Sequence, residues 1–319
     1  MGGAGYIGSH MVKYLDKQGV KITVLDNLST GHHDLLTAGD FVEGDLGDSE
    51  LLADLFRTKE IDVVMHFAAS SLVGESVSDP LKYYKNNVAS TANLLSAMVE
   101  NNVKKFIFSS TAAVYGEPKQ LPITEDSETS PTNPYGSSKL AVEGMLRDCD
   151  RAYGLKSICL RYFNACGADD SAEIGERHQP ETHLIPLVLQ AAIGVRDSIS
   201  IFGNDYPTED GTCLRDYVHV NDLAQAHYLA MQKLLEGGDS NVYNLGNSTG
   251  YSVRQVIDEA CKVTLKEIKV VEAPRRAGDP AVLVAESHKA RELLGWVPKY
   301  ESLSTMIETA WQWHQRDLA

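Results

Sequence analysis

Tyr135 and Lys139 lie four residues apart in the stretch Tyr135-Gly136-Ser137-Ser138-Lys139. On a helix that spacing puts a phenol and an ammonium on one face. A lysine beside a tyrosine favours the phenolate and lowers a pKa that otherwise sits near ~10, so the phenol can exchange a proton with a hydroxyl close to neutrality. Taken alone, the spacing also suits an ordinary surface pair on an amphipathic helix. A second chemistry-bearing stretch supplies context. The chain opens on Gly2-Gly3-Ala4-Gly5-Tyr6-Ile7-Gly8, a glycine turn running into a helical pattern over 7–18 that Gly19 can end. Such a turn lets backbone amides and a helix N-terminus meet a pyrophosphate.

These stretches need a sheet to hold them, and the apolar pattern provides one. A strand-like run over 20–25 ends in Asp26, about 20 residues beyond the glycines, where a dinucleotide fold places the carboxylate for the adenosine ribose. Asp26 followed by Asn27, with no arginine beside them, favours NAD over NADP. The apolar strand that should precede the first glycine is absent from the sequence. It belongs at the centre of the sheet, so a chain without it is expected to fold poorly. Beyond Asp26 the pattern alternates as parallel α/β sheets do: strand 41–43, helix 49–58, strand 62–67, a long helix from 80 to about 101, and strand 104–109. Residues just past strand ends line the ligand crevice of such sheets. That places Asp45, Phe67, Ala68 and Ala69 near the cofactor, with Asp45 set to accept from the adenine amino group. Phe67 suits core packing equally well.

Composition narrows the classes. The 319 residues are 43% hydrophobic, which suits one large or two moderate domains, and the formal net charge of −15 argues against a nucleic-acid binder. Five cysteines without Cys-x-x-Cys spacing suggest neither a disulfide framework nor a zinc site. The histidines give no metal pattern: His32 and His33 are adjacent, and the others are read as lacking carboxylate or thiol neighbours at ligand spacing, so no metal is assigned. No apolar run approaches a membrane span and the N-terminus lacks a secretory pattern, so a cytoplasmic protein is expected.

After the fifth strand come Ser109-Ser110-Thr111-Ala112-Ala113-Val114-Tyr115-Gly116, a proline-rich loop through Pro122, Pro131 and Pro134, and then the Tyr135 helix. Further on stand Arg161-Tyr162-Phe163-Asn164, Ile201-Phe202-Gly203-Asn204-Asp205-Tyr206-Pro207 and Arg215-Asp216-Tyr217. Together and in this order, these motifs resemble the UDP-glucose 4-epimerase family of the extended short-chain dehydrogenase/reductase superfamily, over nearly the whole chain. The resemblance implies a catalytic set of Thr111, Tyr135 and Lys139. It also implies NAD contacts from Gly2, Gly5, Tyr6, Ile7, Gly8, Asp26, Asn27, Asp45, Leu46, Phe67, Ala68, Ala69, Asn86, Ser109, Tyr135, Lys139 and Tyr162. In such enzymes a 4-keto sugar turns over within the site and takes its hydride back on the other face. Related dehydratases and decarboxylases carry a carboxylate directly after the threonine; Ala112 and Ala113 stand there instead, and neither can act as an acid or base. A dinucleotide-sensing binding protein has no need of the intact Thr111, Tyr135 and Lys139.

Past Tyr162 the alternation loosens, and the segment 167–179 reads as a boundary loop. A doubly wound NAD domain over 1–166 is therefore expected, followed by a smaller α/β sugar-nucleotide domain over 167–319, with the strand at 241–245 able to cross back to the first sheet. The resemblance places uridine diphosphate and sugar contacts at Thr111, Asn164, His183, Leu184, Phe202, Arg215, Arg276, Asp279 and Leu283. Arginine forks suit a diphosphate. Two departures stand out: Ser71 where some members have lysine, and His183 where others have asparagine. Leu283 falls where relatives carry a gate beside the hexose 2-position. A residue of that size predicts efficient turnover of plain hexoses and weak turnover of N-acetylated ones, unless Leu283 is simply a core residue. The family pairs its two long helices into a homodimer; here Leu94, Leu95, Met98 and Leu146 suit either a partner or the chain's own sheet.

Overall fold

The computed structural model describes residues 1–276 and 279–317. In chain order its elements are α1 (Tyr6–Lys17), β1 (Thr23–Asp26), β2 (Asp40–Glu43), α2 (Ser49–Thr58), β3 (Val64–His66), α3 (Val73–Ser78), α4 (Pro80–Tyr83), α5 (Ser90–Glu100), β4 (Lys105–Thr111), α6 (Pro134–Tyr153), β5 (Lys156–Tyr162), β6 (Asn164–Cys166) and α7 (Leu184–Ile193). They continue as β7 (Ile199–Phe202), β8 (Leu214–His219), α8 (Val220–Leu235), β9 (Asn241–Leu245), β10 (Gly250–Ser252), α9 (Val253–Thr264), β11 (Val270–Ala273), β12 (Val282–Leu283), α10 (His288–Leu294) and α11 (Leu303–Asp317). Parallel pairing gives the ladder β3-β4-β5-β9 and, beside it, β1-β2. Met1 and Gly2 fill the seam between them: Gly2 N donates to Leu25 O at 2.8 Å, and Phe67 N donates to Met1 O at 2.9 Å.

Helices cover both faces. α1 and α8 bury Met11, Leu15, Leu223 and Met231 against Ile107, Ile158, Leu160 and Tyr243. α2, α5 and α6 bury Leu52, Leu55, Leu94, Leu95, Met98 and Leu146 against Phe106, Phe108 and Cys159 on the opposite face. This is the doubly wound arrangement, and it settles where Leu94, Leu95, Met98 and Leu146 point: into their own sheet. Burial of side chains this size contributes roughly 1.5–3 kcal/mol each.

The remaining elements form a smaller body. β8 pairs with β6, β10 and β12, while β7 pairs with β11. α7, α9 and α11 pack over Ile199, Ile201 and Tyr217. The chain crosses between bodies more than once, because β9 adds to the edge of the large sheet beside β5 before β10 returns.

Two local features set the site. α6 starts where Asn133 Oδ1 accepts from Gly136 N at 2.9 Å with Pro134 in the first turn, and it stops at Gly154, whose φ of +67° suits glycine. α4 and α5 form one helical run interrupted over Tyr84–Ala89 by a π-helical turn, which re-aims side chains within the run. α6 is also bolted to the sheet from within. Arg161 on β5 grips the Glu143 carboxylate with Nε at 2.9 Å and a terminal nitrogen at 2.6 Å; Ser110 donates to the same carboxylate at 2.6 Å, and Arg161 donates to the Tyr115 hydroxyl at 2.9 Å. Both charged side chains are almost fully buried.

Removing one partner of such a pair strands the other charge. Glu143→Leu is expected to lower stability by about 3–5 kcal/mol in urea unfolding, whereas Glu143→Leu with Arg161→Met should recover most of that loss. A single variant within about 1 kcal/mol of the parent in the same measurement contradicts this reading.

Candidate active site

The glycine turn is built by backbone proximity. Gly2 has φ +76°, and a Cβ there would sit 2.4 Å from Ala68 N; a Cβ on Gly8 would sit 2.1 Å from Gly2 O. Gly5 differs, its nearest neighbour being Gly2 O at 3.7 Å, so its outer side is open. Gly5 is also the N-cap of α1 and makes no side-chain capping bond, which leaves the first amides of α1, Tyr6 and Ile7 among them, available to an anion. The Tyr6 ring points away and donates its hydroxyl to Gly167 O at 2.6 Å, tying the turn to the segment after β6. Asp26 closes the other side, accepting from Ala4 N and Leu28 N, both at 2.9 Å. Asn27 donates to Asp45 at 2.6 Å and Gly47 N to Asp45 at 2.7 Å. The expected adenine acceptor is thus already shared between two local donors. Leu46 puts its side chain in the core with Leu25 and Leu52. An open glycine cradle at a helix N-terminus beside the Asp26 carboxylate fits NAD.

At the C-terminal end of β4 the sheet delivers the reactive set. Thr111 ends the strand and Tyr135 and Lys139 occupy the first turns of α6. Burial pushes the Tyr135 phenol up, and the Thr111 hydroxyl opposes that rise. The expected action of Lys139 on Tyr135 needs correction. Lys139 Nζ donates to Ser109 O at 2.9 Å and lies over the Phe108 ring at 4.8 Å, and burial brings its pKa down to about 7. The force on the phenol comes from burial and Thr111 rather than from a neighbouring ammonium. The lysine is turned toward the strand, and its low-dielectric seat makes its own charge costly. Tyr162 adjoins the site, its phenol raised by burial and by Tyr135. Ser109 binds His227 Nε2 at 3.2 Å, and the Phe67 and His227 rings lie 4.9 Å apart, so Phe67 serves crevice and core together.

Sequence reasoning missed the residue that locks this corner. Asn87 is buried in the π-helical turn, accepts from Ser70 N at 2.8 Å, and donates to Ser70 O and to Ser138 Oγ, both at 3.0 Å. It clamps the segment after Ala69 to the start of α6. Asn86, the expected cofactor contact, donates to Ser70 Oγ at 3.2 Å. A polar residue on the buried face shared with Tyr83, Thr91 and Leu94 was the available signal.

The substrate-side residues gather around β8. Asn164 donates to Asp216 O at 2.8 Å. Arg215 donates to Pro280 O at 2.8 Å and approaches Asp279 at 3.6 Å, while Arg276 stacks over Phe202 at 3.8 Å. Leu283 pairs with Arg215 in the ladder and packs beside Phe163 and Ala285. Leu184 opens α7, with His183 as its N-cap. The histidine reading is corrected here: His178 and His183 do have carboxylate neighbours, Glu176 and Glu181, drawn together by the fold. Against burial, which lowers them, these carboxylates push His178 up to about 9 and His183 up to about 10. His183 Nδ1 is therefore occupied by Glu176 and Glu181.

The family model for the NAD dependent epimerase/dehydratase family matches residues 1–246, and the chain belongs to that family. It is similar to the UDP-glucose 4-epimerase of Halalkalibacterium halodurans, 57% identical over 98% of this chain and 94% of that protein. A crystal structure of a UDP-glucose 4-epimerase superimposes with a TM-score of 0.98 at 54% identity, covering 99% and 97% of the two chains. The Bifidobacterium longum UDP-glucose 4-epimerase in complex with NAD+ and UDP gives 0.93 at 39% identity, over 99% and 97%.

Lys139 supplies a test of the site's electrostatics. A lysine lowered from 10.5 to about 7 binds fewer protons folded than unfolded between those values. Stability is therefore lost as pH falls from 10.5 toward 7 and regained as it rises. In cofactor-free protein, Lys139→Met is expected to be more stable than the parent by about 1–3 kcal/mol at pH 7, with the gap narrowing by about pH 9. A less stable variant at pH 7 in calorimetry contradicts this.

Proposed function

We propose that this chain catalyses NAD-dependent epimerisation at C4 of a UDP-hexose, interconverting UDP-glucose and UDP-galactose through a transient 4-keto sugar. The observation that carries this reading is the Thr111 hydroxyl on the Tyr135 phenol at the end of β4, with Lys139 one turn further along α6 and Ala112 and Ala113 immediately following Thr111. NAD, when bound, accepts the C4 hydride and returns it. Tyr135 takes the 4-hydroxyl proton and gives it back, and Thr111 holds that hydroxyl against the phenol. Lys139, seated on Ser109 O at 2.9 Å, would turn from the strand to steady the phenolate as it forms and to meet the nicotinamide ribose. With alanines where an acid would stand, the keto sugar has no group to drive elimination, and return of the hydride is its simplest exit. Gly2, Gly5, Tyr6, Ile7, Gly8, Asp26, Asn27 and Asp45 hold the dinucleotide. Asn164, Leu184, Phe202, Arg215, Arg276 and Asp279 hold the uridine diphosphate.

In this reading residues 1–166 serve chiefly the cofactor and 167–319 the sugar nucleotide, with α8 and β9 returned to the cofactor sheet. Among the described residues no helix is long and apolar enough to cross a membrane, and a cytoplasmic location belongs to the same proposal. Leu81 and Tyr84 are exposed on the run leading into α5, and pairing of this face and α6 with a second copy would form a homodimer. Sedimentation at micromolar concentration that yields a 34.9 kDa species alone contradicts the homodimer.

Purified protein given UDP-galactose is expected to yield UDP-glucose on chromatography, without net NADH. Tyr135→Phe should turn over slower by about two to four orders of magnitude while still binding UDP and NAD, the usual worth of a positioned acid/base group. If Leu283, which packs against the core cluster of Phe163 and Ala285, is the gate at the 2-position, UDP-N-acetylglucosamine should react poorly in the same assay, and equal rates on both sugars would leave it a core residue. A 4-keto-6-deoxy sugar or carbon dioxide as product sinks the epimerase reading, and wild-type turnover by Tyr135→Phe sinks the proton-transfer role.

A further inference from the structure

Four donors outside the reactive set converge between β6 and α7. Glu176, His178, Glu181 and His183 each offer one ligand atom, and these atoms all lie within 4.8 Å of one another. His183 Nδ1 is 2.8 Å from Glu176 Oε1 and 2.9 Å from Glu181 Oε1. His178 Nδ1 is 3.1 Å from Glu176 Oε1 and 3.7 Å from Glu181 Oε2. Donors bound at about 2.0–2.2 Å around a tetrahedral ion stand roughly 3.3–3.6 Å apart. To reach that geometry the hydrogen-bonded pairs must part by roughly half an ångström or more, and any pair near the 4.8 Å limit must close by about 1 Å.

The frame around these donors is already fixed by other bonds. Glu176 is 5% exposed, and its carbonyl accepts from Trp313 Nε1 at 2.9 Å. The Arg177 carbonyl accepts from His32 at 3.1 Å, and the Arg177 guanidinium is held between Asp34 and Asp317. Glu181 Oε1 accepts from Thr182 N at 2.7 Å and His183 N at 2.8 Å, which fixes the carboxylate and leaves Oε2 free to ligate. The plain alternative is a hydrogen-bonded quartet of two imidazolium rings and two carboxylates. In that arrangement the carboxylates hold both rings protonated, so a metal must displace two protons and binds more tightly as pH rises. Two neutral imidazoles and two carboxylates instead form a set of net charge −2, which one divalent cation balances. Nitrogen and oxygen donors together favour zinc or a similar first-row ion over calcium or magnesium, which prefer oxygen alone.

The geometry points to a divalent transition-metal site, of the zinc type, formed by Glu176, His178, Glu181 and His183, which braces the loop after β6 against the first turn of α7. Its role is structural. All four positions are filled by protein, as in closed sites, which keep no open position for substrate. The brace acts on the loop that carries Gly167, the acceptor of the Tyr6 hydroxyl beside the glycine turn.

The NAD-loaded enzyme, treated with a chelator and desalted, is titrated with zinc chloride by calorimetry at pH 8, and thermal melting is recorded with and without the ion. One zinc per chain and a higher melting temperature are expected, and cobalt(II) should give the intense visible absorption of a tetrahedral site. His178→Ala and the shape-preserving Glu181→Gln should each weaken zinc binding by about tenfold or more. Glu181→Gln keeps the test open if His178→Ala fails to fold. Sub-stoichiometric uptake, an unchanged melting temperature, or undiminished affinity in a folded variant, which would move the ion elsewhere, each overturns the proposal.

Discussion

The position of α6 depends on one buried ion pair. Arg161 and Glu143 meet with two parallel bonds between the middle of the sheet and the helix that carries Tyr135 and Lys139. Glu143 lies one turn beyond Lys139, so fixing its carboxylate fixes the rotation of the helix about its axis. Ser110 and Tyr115 join the same network from the end of β4. The strand end bearing Thr111 and the helix bearing the phenol are therefore held as one unit. A buried pair is a costly way to gain stability compared with apolar packing. What it supplies here is geometry, on the scale that proton transfer to a sugar hydroxyl requires.

The second constraint is the dry seat of Lys139. Its ammonium rests on a carbonyl and an aromatic face instead of a carboxylate, so the protein holds a charge it would do better without. A phenolate forming on Tyr135 relieves that cost. Burial is the common cause of both shifts, and it disfavours the charged form of each group, raising the phenol and lowering the ammonium.

Much of this was legible in the sequence. The glycine turn, Asp26 and the helices at 49–58, 184–193 and 220–235 follow from local periodicity and capping, and these stand where the pattern put them. The motif order also carried Thr111, Tyr135 and Lys139 to one corner. Three things were not legible, each for a physical reason. Helical spacing puts Asn87 on the buried face of Tyr83 and Thr91, but it cannot name Ser70 and Ser138, distant in sequence, as its partners. Leu94, Leu95, Met98 and Leu146 had two apolar destinations, and only the layer order decides that they face the sheet. Glu176, His178, Glu181 and His183 stand within eight residues of sequence, and what that spacing does not show is the turn between His178 and Glu181 that aims all four donors at one point.

The central claim is that one site removes a hydride from C4 and returns it to the same sugar. It is tested most directly by supplying UDP-galactose deuterated at C4 together with unlabelled UDP-galactose carrying a heavy uracil, and reading the product by mass spectrometry. The account predicts UDP-glucose in which deuterium stays with its own light uracil, with none lost to water. Deuterium washed out to solvent, or found on molecules carrying heavy uracil, would contradict it.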